Sequence, residues 1–150
     1  MGRLLDTAWR FFEEDDWSFE PLENVSALSC GFEGESGEFT CYAQEREEKE
    51  QFVFYTVVPF QIPEAMRAAV AEYLTRANYG LAIGNFEMDY ADGEVSFKTS
   101  MDAEGIEFTE AMVKNLVYAN VLTADRYLPG LMRVVYGKIE PADAIREIEE

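Results

Sequence analysis

The stretch ALSCGFEGESGEFTCYAQ, residues 27–44, constrains the fold more tightly than any other part of the chain. A loop at Gly34–Gly37 sets Glu33 against Glu38. The pairs that follow are Phe32 with Phe39, Cys30 with Cys41, and Leu28 with Ala43. All three are apolar and share one face, while Ser29, Gly31, Thr40 and Tyr42 take the other. Side chains on a strand alternate with a period of two, so a slip of one residue would turn every apolar pair outward. The pattern therefore predicts a half-buried antiparallel hairpin with a defined register.

The same register brings the only two cysteines face to face. One reading is a redox-sensing disulfide; the other is two small apolar residues sharing a core position. No C-x-x-C spacing and no cationic neighbour mark a reactive thiol, which favours the core reading. GESGE, residues 34–38, looks superficially like a nucleophile elbow but lacks the closing glycine. The chain also contains no histidine, which removes Ser-His-Asp and Cys-His machinery and the usual zinc sites.

QFVFYTVVPF, residues 51–60, reads as a third strand. Placing Gln44 opposite Gln51 puts Phe52, Phe54 and Thr56 on the core face, and Val53, Tyr55 and Val57 beside Tyr42 on the far face. An antiparallel sheet covered on one side should alternate more cleanly than this. Either another element covers the far face, or Tyr42, Val53, Tyr55 and Val57 form an exposed apolar patch of the kind that marks an interface. These four are the candidate partner-binding residues.

Helical spacing accounts for much of the rest. Leu4, Leu5, Ala8, Trp9 and Phe12 predict a first helix, which runs into the acids Glu13–Asp16; acids oppose the dipole there, so that end is expected to fray. Pro63 opens a helix whose buried stripe is Met66, Val70, Tyr73, Leu74 and Ala77, with Gly80 as its cap. Phe108, Thr109 and Val113 make an N-cap with a hydrophobic staple. Val113, Leu116, Val117, Ala124, Leu128, Leu131 and Val135 then trace one long face ending at Gly137, with a kink or break expected at Pro129. Ala144, Ile145 and Ile148 face inward on a short last helix. No linker divides the chain, so residues 1–150 are expected to form a single domain.

Between the second and third helices, GNFEMDYADGEVSFKTSM carries Glu87, Asp89, Asp92 and Glu94 around a glycine. With Asp92-Gly93 as a two-residue turn, Tyr90 faces Val95, Met88 faces Phe97, Phe86 faces Thr99, and Glu87 pairs with Lys98. Calcium loops instead need alternating acids and a distal glutamate within one loop. The stretch is read as a hairpin with Phe86, Met88 and Tyr90 in the core.

Thirty acidic residues against 12 basic ones give a formal charge of −18. Such a field repels phosphate backbones and anionic membranes, so no nucleic-acid or membrane partner is expected. It suits a basic or polar protein partner, or simply a solvated acidic surface in a salt-rich cytoplasm. No apolar run approaches the roughly 18 residues of a membrane span. Acids already appear by position 13, so no signal peptide is read and cytoplasmic residence is expected. No cofactor or metal ligand set is expected either.

The order α-β-β-β-α-β-β-α follows from these spacings. Two stretches, FYTVVPFQIPEAMRAAVAEYLTRANYGLAIGNFEMDYADGEVSF and DRYLPGLMRVVYGKIEPADAI, carry Val58-Pro59, Pro63, Ala77-Asn78, Gly84-Asn85-Phe86-Glu87 and Tyr127-Leu128-Pro129. In them the chain resembles the YbjN family of bacterial proteins. The resemblance implies a type III secretion chaperone-like α+β fold: a single antiparallel five-stranded sheet with helices packed on one face, often as a homodimer. It implies a regulatory role and carries over no catalytic residue. The expected function is thus a non-enzymatic adaptor or chaperone-like protein, binding a protein partner or itself through an apolar sheet face. The alternatives are a purely homo-oligomeric structural protein, or an enzyme using carboxylates and a divalent cation at clusters such as Glu13–Asp16. The last lacks any nucleophile, base and orienter set.

Overall fold

The hairpin at residues 27–44 forms in the predicted register: Cys30 faces Cys41, Phe32 faces Phe39 and Leu28 faces Ala43. A computed structural model describes all 150 residues. In chain order it contains α1 (Arg3–Glu14), β1 (Phe19–Pro21), β2 (Ala27–Glu33), β3 (Glu38–Arg46), β4 (Gln51–Val57) and α2 (Arg67–Asn78). These are followed by β5 (Asn85–Asp89), β6 (Glu94–Asp102), α3 (Glu110–Val135) and α4 (Pro141–Glu149). The strands make one antiparallel sheet ordered β1-β2-β3-β4-β6-β5.

The sheet has six strands, not the expected five. The added strand, β1, is three residues long and pairs Phe19 with Cys30 and Pro21 with Leu28. So short a segment shows no periodicity, and its proline is tolerated because β1 is an edge. Its anchor is aromatic: Phe19 meets Trp9 edge-on at 5.0 Å and Phe12 at 5.8 Å.

Two pairings differ from expectation by two residues. Gln51 faces Arg46 rather than Gln44, because β3 runs on to Arg46 and a tight turn closed by Glu50 at φ +52° follows. Phe86 faces Phe97 rather than Thr99, because the second hairpin turns through four residues, Tyr90–Gly93. Only Gly93 takes a positive φ there, whereas a two-residue type I′ turn needs one at Asp92 as well. Gly93 N–H donates to the Asp89 carbonyl at 2.7 Å, and its own carbonyl accepts from Ile62 N at 2.8 Å. A Cβ at Gly93 would collide with the Ile62 backbone, so the loop is docked as well as turned. A slip of two preserves the faces. Phe52, Phe54, Thr56 and Phe86 remain inward, but Tyr90 falls into the loop and is exposed instead of in the core.

All four helices lie on one face. α3 crosses β4 and β6, α1 covers β2 to β4, α2 lies toward β5, and α4 packs on α2 and α3. Polar groups tie this layer to the sheet. Glu45, buried on β3, accepts from Leu5 N at 2.9 Å, so the N-terminus of α1 meets a carboxylate supplied by a strand. At the other end α1 continues to Glu14, and Asp15 accepts from Trp17 Nε1 at 2.9 Å and from the Tyr118 hydroxyl. Those bonds anchor the end expected to fray.

α3 also departs from expectation, running unbroken through Pro129. The turn is held from outside: the Tyr73 hydroxyl on α2 donates to the Tyr127 carbonyl at 2.7 Å, and Gly130 leaves room for the Tyr73 ring. Desolvation by burial pushes the Tyr73 phenol up from its ordinary range. Thr109 caps α3 as predicted, its Oγ1 accepting from Met112 N at 3.2 Å.

Candidate functional site

The face of the sheet opposite the helices is built from alternate residues of every strand. Register places them in rows. The central row runs Ser29, Tyr42, Tyr55, Lys98, Asn85; the next runs Gly31, Thr40, Val57, Ser96, Glu87. Beyond these, at one end of the strands, Glu33 faces Glu38 and Asp89 faces Glu94. No helix reaches this face.

Tyr42 and Tyr55 are direct cross-strand partners and both are half-buried. Together with Val57 they line a concavity of about 600 Å³ that takes in Leu22, Val25 and Pro59. Leu22 and Val25 come from the turn between β1 and β2, so the turn that follows the strand sequence periodicity missed builds one wall. The far face of the third strand is therefore an open hollow, and no second layer covers it. Val53 stands apart from the other three candidates. It is on the same face but only 5% exposed, in a separate small hollow with Arg46, Lys98 and Asp102. Side chains of the flanking strands screen it, so Tyr42, Tyr55 and Val57 come together and Val53 does not join them.

Carboxylates rim the hollow: Glu38, Glu87 and Glu94 line it, and no lysine or arginine does. Lys98, in the central row, reaches Glu87 at 3.2 Å, the ion pair expected from sequence although the two residues are diagonal rather than opposite.

The other chemical candidates are engaged locally. In the second hairpin Asp89 Oδ1 accepts from Ala91 N at 2.8 Å and Asp92 Oδ1 from Glu94 N at 2.9 Å, so these carboxylates shape the turn. No group of three or more acidic or cysteine side chains is arranged to hold a metal ion. Cys30 and Cys41 are free and buried; their mutual hydrogen bond, with burial, raises the Cys30 thiol far above its ordinary range. Cys41 Sγ also lies 3.5 Å from Thr56 Oγ1.

The GESG loop proves to be an anion-binding turn already filled. Asp125 on α3 accepts from Glu35 N at 2.9 Å and Ser36 N at 2.8 Å. Asn120, fully buried on α3, donates from Nδ2 to the Phe54 carbonyl at 2.9 Å, the Phe97 carbonyl at 3.0 Å and Thr99 Oγ1 at 3.2 Å. Sequence reasoning passed over both residues. The available signal was two polar side chains inside the apolar stripe between Val117 and Leu128, where a polar residue must find partners.

The fold so described is shared with solved structures. The crystal structure of YbjN from E. coli, "a putative transcription regulator", superposes with a TM-score of 0.57 at 13% identity, over 79% of this chain and 86% of that one. A chain of the HopA1–SchA chaperone–effector complex matches with a TM-score of 0.51 at 16% identity, over 82% of this chain and 88% of that one. No curated protein matches the sequence. This is an α+β fold, helices over one face of an antiparallel sheet, that YbjN and a chain of that chaperone–effector complex share. The profile of the YbjN family, described as "putative bacterial sensory transduction regulator", matches residues 9–132, and the chain belongs to that family.

The family resemblance included Ala77-Asn78 and Gly84-Asn85-Phe86-Glu87, and the structure joins the two. Asn78 at the end of α2 donates to the Phe86 carbonyl at 3.1 Å and accepts from Phe86 N at 2.7 Å. One side chain thereby satisfies a residue of edge strand β5, which would otherwise offer free pairing groups.

Proposed function

We propose that the protein is a non-enzymatic regulatory adaptor or chaperone-like module that holds a protein segment, or a second copy of itself, on the open face of its sheet. The observation that carries this reading is the Tyr42–Tyr55 pair with Val57, set in a hollow on the one sheet face that no helix covers. Half-buried aromatics in a concave apolar patch are the usual anchors of protein recognition. The family description and the likeness to a chain of a chaperone–effector complex support a binding role over catalysis.

The test is the double substitution Tyr55→Ser with Val57→Thr. Both residues lie outside the helix-covered core, so the variant is expected to fold. Sedimentation analysis should then show loss of self-association, or partner capture should fall sharply. If both stay as in the unaltered protein, the open face is not the binding surface.

A further inference from the structure

The hollow is apolar at its centre and acidic around its edge, and the acids are placed at some cost. Glu33 faces Glu38 across β2 and β3, and Asp89 faces Glu94 across β5 and β6. Like charges directly opposed on neighbouring strands are destabilising. Both pairs lie at the same end of the open face. β3 and β6 flank β4 and run in the same direction, so Glu38 and Glu94 sit about 10 Å apart, two strand spacings. Glu87 adds a third carboxylate to the lining. Lys98, the cation of the central row, is already held by Glu87, and Arg67, beside Gly93, is held by the Ile62 and Tyr90 carbonyls.

We infer that this hollow binds a short basic segment of a partner protein, one that presents arginine or lysine beside an apolar side chain. The inference rests on the open-face reading above and names the chemistry of its occupant. The carboxylate rim would receive the cationic heads. The Tyr42 and Tyr55 rings offer faces to a guanidinium or ammonium, and Val57 and Pro59 offer apolar contact to the stem or to a neighbouring side chain. Charge also decides against a second copy of the chain on this surface. Two copies meeting face to face here would bring together molecules that each carry −18, with three carboxylates lining each hollow.

Three fluorescent octapeptides test this, alternating valine with arginine, with serine or with glutamate, their binding followed by anisotropy at low and at high salt. The arginine peptide is expected to bind at least about tenfold more tightly than the serine peptide at low salt, the advantage shrinking as salt rises, with the glutamate peptide showing no binding. The triple variant Glu38→Gln, Glu87→Gln, Glu94→Gln should reduce arginine-peptide binding to the serine-peptide level. A control removing three exposed acids elsewhere, Glu13→Gln, Glu104→Gln, Glu107→Gln, should change it less than about twofold. Thermal melts verify folding, and the rim variant should melt no lower than the unaltered protein, since relief of two opposed pairs of like charges offsets loss of the exposed Glu87–Lys98 ion pair. Equal loss in both triple variants would overturn the inference, because attraction to net charge alone would then explain the binding. Equal binding of arginine and serine peptides, both abolished by Tyr55→Ser with Val57→Thr, would overturn the basic-segment inference and leave the open-face reading standing. Absence of binding for all three peptides would overturn the basic-segment inference alone, and arginine-peptide binding untouched by that double variant would overturn both.

Discussion

Phe54 and Tyr55 are neighbours in the chain and lie on opposite faces of β4. Phe54 is fully buried under α1 and α3, with Phe12 6.2 Å from its ring and Asn120 bonded to its carbonyl. Tyr55 faces the open hollow beside Tyr42, and its hydroxyl has no hydrogen-bond partner in the protein. One face of the sheet is thus consumed by folding, and even the buried polar residues there, Glu45 of β3 and Asn120 and Asp125 of α3, tie helices to the sheet and its first hairpin loop. The other face keeps aromatic surface and opposed carboxylates that folding does not use. A residue that contributes little to stability, or opposes it, is where binding should be sought.

The sharpest way to break the comparison is to truncate each side in turn. Phe54→Ala should cost about 3–5 kcal/mol, the usual range for removing a buried phenylalanine. Tyr55→Ala should cost far less, about 1 kcal/mol, since its ring is only partly buried and no helix packs on it. Denaturant titration of both variants checks this. Equal losses would mean that the open face is as structural as the covered one.

A second test asks whether the polar ties belong to the covered side. Asp125→Ala removes two charge-assisted bonds to backbone N–H groups at the tip of the first hairpin. A loss of about 2–3 kcal/mol is expected, since bonds to a charged acceptor contribute more than neutral ones. Hydrogen exchange should locate it: the Glu35 and Ser36 amides should lose protection while those of β6 keep theirs.

Which parts of this were legible in the sequence follows the same division. Alternation in residues 27–44 determined the first hairpin because each residue sits on one face or the other and the two faces differ in polarity. Alternation is blind to shifts of two, and it failed there: Gln51 against Arg46 and Phe86 against Phe97 place the same residues on the same faces as the expected registers. Turn chemistry should have resolved the second case. It did not, because Asp-Gly suits several turns and the choice was made by Ile62 bonding to Gly93, a contact 31 positions away in sequence. The open face could be suspected from Val53, Tyr55 and Val57, but the hollow could not. It needs Leu22 and Val25 from a turn beside a strand too short to show a pattern, and it excludes Val53, which neighbours from β3 and β6 screen.

A smaller effect probes the helix end expected to be loose. The Asp15 carboxyl is held below its ordinary range by hydrogen bonds from the Tyr118 hydroxyl and then from Trp17. A carboxylate depressed in the folded state stabilises above its unfolded pKa, and that stabilisation is lost as pH falls through the folded value. Asp15→Asn should therefore be less stable than the unaltered protein at neutral pH. The gap should close in the acid range, below the ordinary aspartate pKa, as the native carboxyl takes up its proton. Paired melts across pH, with tryptophan fluorescence reporting Trp17, measure it. A gap constant with pH would mean that the Asp15 charge contributes nothing there.

The smallest effect has the opposite sign, and it bears most directly on why the two faces differ. Glu94→Gln removes one member of the opposed Asp89–Glu94 pair while keeping a side chain of the same size. Opposed like charges cost on the order of a few tenths of a kcal/mol, so the variant should be slightly more stable, and the gain should fade as salt screens the pair. Nearly any substitution on the covered face should lower stability, because that face is already matched to its helices. A gain here would show that the open face is held away from its stability optimum by charges the fold does not need. A loss would mean that Glu94 has a structural partner on this face, and the division between the two sides of the sheet would have to be redrawn.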